Sequence, residues 1–255
     1  MPWMQLLEQD VATVTQVLGK DFIARQGVVT LLPQQARAFE QLAERLLESP
    51  QCYSREDVGL LEQLVSLRAV SLHDELSQFE RLIQRIAHRL EKSVLPLRVE
   101  GDDVLVNPDI FGPFLRSLGH VFRNAIDHGI EFPCHRLDTG KSEEGSIICR
   151  IRQFETQLCI EIMDDGCGVD EETLRQRAVQ RTPEAYTWPL ADLVFADGIS
   201  SRAEVTELSG RGIGMAAVRA EVSRLRGKIE IETQPRIGTL FRFMLPFVPI
   251  SRVHV

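Results

Sequence analysis

No two cysteines in this chain are spaced C-x-x-C, and no H-E-x-x-H occurs. The five cysteines, Cys52, Cys134, Cys149, Cys159 and Cys167, are odd in number and scattered, so neither a disulfide framework nor a zinc site is expected. They read as reduced thiols of a cytosolic protein. Clustered positive charge is also missing: the net charge is −8, and no Lys/Arg cluster overrules it. A general phosphate-backbone binder needs a basic surface, so nucleic acid is not an expected partner. The opening MPWMQLLEQD has no basic lead and no long apolar run, so neither a signal peptide nor membrane insertion is expected. The protein is expected to be cytoplasmic, or the cytoplasmic part of something longer. What remains is 255 residues, 44% of them hydrophobic, ample for one large domain or two small ones.

The chain falls into three parts. Residues 1–33 include LGKDFIARQGVVTLLP, which reads as two short strands around a Gly turn. A similar order recurs at LEKSVLPLRVEGDDVLVNP and suggests an internal duplication. Residues 34–93 read as a helical hairpin. Ala38, Phe39, Leu42, Leu46 and Leu47 mark one helical face, and after Ser49-Pro50 a longer helix is predicted through Leu61, Leu64, Leu67, Leu72, Leu76, Phe79, Leu82 and Ile86. Two helices joined by a short turn pack as an antiparallel pair, and their apolar stripe asks for a partner chain, so a homodimer is expected.

Residues 94–250 mix strands and helices in an α+β pattern. PLRVEG and VLVN suggest a strand pair. PDIFGPFLRSLGHVFRNAIDHGI reads as a helix, with Pro108 suited to its start and Gly129 to its end. SIICRIRQF and QLCIEIMD alternate apolar and polar residues and look like adjacent strands. GKIEIETQPRIGTLFRFMLPF reads as a hairpin around Arg236-Ile237-Gly238.

Three stretches stand out chemically. His120, Asn124, Asp127 and His128 share one face of the helix, offering imidazole, amide and carboxylate where an ordinary surface face would be rich in Lys and Glu. A plain polar face with satisfied side chains is the alternative. MDDGCGVD places Asp164, Gly166 and Gly168 at the end of an apolar strand. That is either a tight exit turn or a site where a carboxylate accepts a hydrogen bond from the amino group of a base. SGRGIGMAAV puts Gly210, Gly212 and Gly214 just before a helix, where backbone amides and the helix N-terminus favour an anion. TGKS at 139–142 mimics the end of a phosphate loop but lacks the first glycine, whose place His135 holds. It reads as a surface turn.

In this order over one domain, with Gly238-Thr239 following, these stretches resemble the nucleotide-binding domain shared by histidine kinases, Hsp90 chaperones, type II topoisomerases and MutL proteins. GHVFRNAIDHGIE, DDGCGVD, VFADGISS and SGRGIGMAAVR are most similar to the chemotaxis-type, CheA-like histidine kinases, from about Leu95 to Pro246. SLRAVSLHDELSQFERLIQRIAHRLEK is more loosely similar to the second dimerisation helix entering that domain. The resemblance implies a two-layer α/β sandwich of the GHKL (Bergerat) ATPase type that binds ATP with Mg²⁺. Asn124 would hold the metal, and Asp164 would read the adenine amino group with Gly166, Gly168 and Thr239 nearby. Arg123 and His128 would sit toward the phosphates, cradled by Gly210, Gly212 and Gly214, and Asp127, Arg211, Ile213 and Met215 would also belong to the nucleotide site. His120 would assist the incoming nucleophile, and Phe195 would pack against a lid lying between Val169 and Gly210. Ala216 departs from the aspartate frequent in relatives.

The same resemblance implies phosphoryl transfer to a histidine on a separate phosphotransfer domain, and onward to a response regulator. His73, in LHDELSQ, superficially matches the acceptor motif of another kinase class but reads as a solvated helix histidine. With neither a phosphotransfer domain nor a coupling-protein-binding domain evident, the sequence suggests a fragment or a kinase acting in trans. The competing reading is a nucleotide-gated dimeric interaction module with little transfer. A chaperone or topoisomerase clamp would need a transducer domain.

Overall fold

The computed structural model describes residues 31–47, 54, 58, 60–61, 63–64, 66–196 and 214–248. The strands and duplication expected before residue 31 lie outside them. The chain divides into two compact units, Met1–Leu67 and Arg68–Val255.

In the first unit, helix α1 (Pro33–Leu47) begins with proline at its first turn, where the missing N–H is no loss. Its buried stripe is Ala36, Glu40 and Ala43, while Ala38 and Leu47, placed on the apolar face from sequence, are exposed.

The long second helix expected after Pro50 is broken close to the division between the two units at Leu67/Arg68. Ser66–Arg68 form a turn, and Val70–Ser71 become a short strand, β1, paired antiparallel with β3 (Leu105–Val106). Ser71 then caps helix α2 (Leu72–Ser77): its hydroxyl accepts from the Asp74 N–H at 3.2 Å and donates to Asp103 Oδ1 at 2.8 Å. Helix α3 (Glu80–Arg89) follows after a second break at Gln78-Phe79. Leu72, Leu76 and Ile86 keep the helical spacing seen in the sequence, but they are buried in the core of the second unit, where Ile83 is buried and the expected Leu82 only partly so. Phe79 stacks on Phe122 there, with ring centroids 4.7 Å apart.

That core lies between helices and one face of a five-stranded sheet. β2 (Arg98–Gly101), β4 (Ile147–Gln153), β5 (Gln157–Asp164), β7 (Gly238–Pro246) and β6 (Lys228–Gln234) stand in the order β2-β4-β5-β7-β6, with only β2–β4 parallel. The pair expected between PLRVEG and VLVN does not form. Each finds a different partner, β4 for the first and β1 for the second. The β4–β5 and β6–β7 pairings are as expected.

Alternation sends Cys149, Ile151, Ile160, Ile162, Phe241 and Phe243 inward. They meet helix α4 (Pro108–Asn124), capped by the Asn107 side chain at 2.9 Å, whose Phe114 and Leu118 are fully buried; Phe114 meets Phe243 edge-on at 5.5 Å. Helix α8 (Gly214–Arg224) adds Met215, Val218 and Val222. On the opposite face Arg242 bonds Glu161, Glu230 and Glu232 at 2.9–3.1 Å, and Glu161 is 3% exposed beneath its guanidinium partners. This is the α+β, two-layer arrangement expected for residues 94–250, enlarged by the segment from Arg68. Helix α5 (Pro133–Asp138) lies between α4 and β4 in the chain.

Candidate functional site

α4 does not stop at an α-helical C-cap. It runs on through a single π-helical turn, Ala125–Gly129, closed by the Ile130 N–H to Ala125 O at 2.7 Å. Such insertions recur at functional sites because they re-aim side chains by one residue. Lys92 holds the turn from outside, its Nζ donating to the carbonyls of Ile126 (2.7 Å) and Asp127 (2.8 Å).

The end of β5 packs against this turn. Asp164 stands opposite Ile147 on one side and Thr239 on the other. Its Oδ1 accepts the Gly166 N–H at 2.9 Å, and the Cys167 N–H donates to Gly129 O at 2.8 Å. Glycine is required at 166, since a Cβ there would collide with the Gly129 carbonyl. At 168, φ is +78°, and a Cβ would meet Gln234 O at 2.6 Å. The glycines of D-x-G-x-G therefore serve close backbone approach between the strand exit, the π turn and the β6–β7 hairpin.

These elements enclose a cavity of about 310 Å³. Asn124, His128 and Gly129 reach it from α4 and its π turn; Asp164, Cys167 and Gly168 from the strand exit; and Thr239 and Phe241 from β7. Five of the sequence-identified residues, Asn124, His128, Asp164, Gly168 and Thr239, thus line one space. His120, Arg123, Asp127, Gly166, Gly214 and Met215 do not line it. Gly214 opens α8 beside the His120 ring, since a Cβ there would stand 3.6 Å from Nδ1. Met215 is buried in the core. Phe195 is buried behind the cavity wall, edge-on to Phe241 at 6.1 Å, so Val194 lines the cavity in its place. Gly210, Arg211, Gly212 and Ile213 lie outside the described residues.

Electrostatics single out Asp164. Burial pushes its carboxyl up to about 7, and the neighbouring Asp165 pushes the same way. N–H bonds from Gly166 and Thr239 and the charge of Lys141 pull against them. For His120, burial and then the Arg123 guanidinium hold the imidazole below its ordinary value.

The stretch after Val169, where the family resemblance places a lid, begins with helix α6 (Glu171–Arg181), Asp170 accepting the Thr173 N–H at 3.0 Å. Asp-x-x-Thr after the last glycine was the available signal. α6 brings Thr173, Leu174 and Arg177 to the cavity, none of them anticipated. Arg175 ties it to the 3₁₀ turn at Pro183–Thr187 through the carbonyls of Ala185, Tyr186 and Trp188, and helix α7 (Leu190–Val194) follows. TGKS forms an exposed turn at Thr139-Gly140, as expected, but its Lys141 side chain is 15% exposed and bonds the strand exit. Among the described residues, no cluster of three or more His, Cys, Asp or Glu is placed to hold a metal, the described cysteines are free, and no helix is long and apolar enough to cross a membrane.

Residues 115–249 match the family described as histidine kinase-, DNA gyrase B-, and HSP90-like ATPase. The chain is 34% identical over 237 residues to the chemotaxis protein CheA of Halobacterium salinarum, covering 90% of this chain and 35% of that one. To the chemotaxis protein CheA of Klebsiella aerogenes it is 33% identical over 206 residues, covering 79% and 31%. To that of Borreliella burgdorferi it is 32% identical over 198 residues, covering 76% and 23%. The chain thus spans about a third or less of the length of these relatives.

Proposed function

Because this chain belongs to the histidine kinase-, DNA gyrase B-, and HSP90-like ATPases, we propose that its second unit binds Mg-ATP and passes the γ-phosphoryl group to a histidine on a separate phosphotransfer domain. The observation that carries this reading is Asp164, a half-buried carboxyl at the end of β5 facing a cavity shared with Asn124 and Thr239.

The residues fit the nucleotide. A cavity of about 310 Å³ lies at the lower end of small-molecule sites and suits a nucleoside moiety. Asp164, once ionised, accepts from an exocyclic amino group, while Gly168 and Thr239 bring backbone and hydroxyl close to the base. Phe241 and Leu174 supply apolar walls. Asn124 offers an amide oxygen, and the absence of a carboxylate cluster among the described residues suits a hard cation held mainly by phosphate oxygens and water, as Mg²⁺ is. His128 and Arg177 line the same space and present donors to anionic oxygens. Bound Mg-ATP would supply the transferable group and the divalent charge that offsets it. The chain's own task is orientation and charge neutralisation, which dominate this class of reaction.

His120 stands beside the N-terminal residue of α8, and its lowered proton affinity keeps the imidazole neutral, the form able to take a proton from an incoming nucleophile. His73 is 45% exposed on α2 with Asp74 3.8 Å away, which fits a solvated helix histidine. A homodimer, a response regulator downstream, and a cytoplasmic setting supplied with ATP complete the proposal.

Label from γ-labelled ATP should appear, acid-labile and on histidine, in an added phosphotransfer domain. Binding of Mg-ATP without any transfer would instead establish a nucleotide-gated interaction module. If Asp164→Asn and Asn124→Ala take up Mg-nucleotide as the parent does, the site itself is misassigned.

A further inference from the structure

The TGKS stretch bears on the site in a way its resemblance to a phosphate loop does not suggest. Lys141 Nζ donates to the carbonyls of Asp165 (2.8 Å) and Gly166 (2.7 Å) and to Glu131 Oε1 (2.7 Å), which uses all three ammonium protons. Arg136, 1% exposed, works beside it. Its Nε and one terminal nitrogen bond the carbonyls of Ser142 (2.8 Å) and Glu144 (3.2 Å). The remaining N–H groups reach Glu131 Oε2 (2.9 Å), Asp165 O (3.2 Å) and Asp165 Oδ2 (2.9 Å). Asp165 Oδ1 accepts the Ser146 N–H at 2.9 Å.

Two cations and two carboxylates therefore form a closed, neutral set. Asp164 makes none of these bonds, yet the set holds the two residues after it. Gly166 is pinned at its carbonyl by Lys141, while its N–H donates to Asp164 Oδ1 at 2.9 Å. A shift of the turn moves that carboxyl with it.

We propose that Lys141, steadied by Glu131 and Arg136, is a positioning residue for purine recognition, fixing where the Asp164 carboxylate meets the base by gripping the Asp165 and Gly166 carbonyls. The inference rests on the reading of Asp164 as the purine-reading group. The charge of Lys141 also favours the ionised, accepting form of that carboxyl.

The test is the full chain carrying Lys141→Met, similar in length but without donors, titrated calorimetrically with Mg-ADP and Mg-IDP. These differ at the base, where an amino donor is replaced by a carbonyl acceptor. The parent should prefer Mg-ADP. Lys141→Met should bind Mg-ADP roughly tenfold more weakly and lose about the same factor of preference over Mg-IDP. A purely stabilising Lys141 would lower the melting temperature and leave the ratio of affinities untouched, because that ratio is independent of the folded fraction. An unchanged ratio overturns the proposal. If Lys141→Met does not fold, Glu131→Gln, which weakens the same grip, should shrink the ratio by roughly threefold, and an unchanged ratio in that folded variant is equally fatal. A parent that shows no preference, together with an Asp164→Asn variant that binds both nucleotides as the parent does, would show instead that the underlying assignment of Asp164 is wrong.

Discussion

Asp164 makes stability and pH answer to each other. Burial moves its carboxyl from 3.8 in the unfolded chain to about 7 in the fold. Below the lower value both states are protonated and the group contributes no pH dependence. Between the two values the folded state holds the extra proton, so stability falls as pH rises, at up to about 1.4 kcal/mol per pH unit. Above about 7 the loss is complete. The full span corresponds to about 4 kcal/mol, and screening through the open cavity reduces it toward about 2 kcal/mol. Asp164→Asn removes the titration while preserving shape and the acceptor for Gly166. Urea unfolding of both proteins, without nucleotide, across about pH 4.5 to 8.5 should show the parent losing about 2–4 kcal/mol relative to the variant as pH rises. The same group must ionise to accept from a base, so nucleotide uptake near pH 7 should release about half a proton, read from calorimetry in buffers of different ionisation heat. Parallel stability curves for the two proteins, with no proton release, would refute the reasoning.

Gly166→Ala forces a methyl into the Gly129 carbonyl, and the expected cost is about 1–3 kcal/mol in thermal or urea unfolding, with nucleotide affinity lost in step. Arg136→Met leaves Glu131 and Asp165 without their buried partner; a destabilisation of about 3–5 kcal/mol is expected by the same measurement. Leu76→Ala should cost about 2–5 kcal/mol in the unfolding of the nucleotide-binding unit, because Leu76 is fully buried in its core. For the same reason, a chain starting at Arg68 should unfold cooperatively, whereas one starting at Val94, lacking α2 and α3, should not.

Local pattern was enough for much of this protein. The β4–β5 and β6–β7 pairs alternate at period two, Pro108 opens α4, and Asn124, Asp164 and Gly168 could be picked out as residue types with chemistry attached, while Thr239 came only from the family resemblance. The same local pattern misled between residues 55 and 92. Leucine spacing is satisfied equally by one long helix and by a short strand followed by two short helices. The choice is made by β3 and Asp103, about thirty residues away, which claim Val70 and Ser71. Distance in sequence hid the rest of the site for similar reasons. Glu131, Arg136 and Lys141 look like surface charges until Asp165 arrives between them, and Arg177 reaches the cavity only because α6 turns back over the strand exit. Spacing along the chain records which residues share an element. Which elements share a cavity, and which buried charges must answer one another across it, is decided by packing.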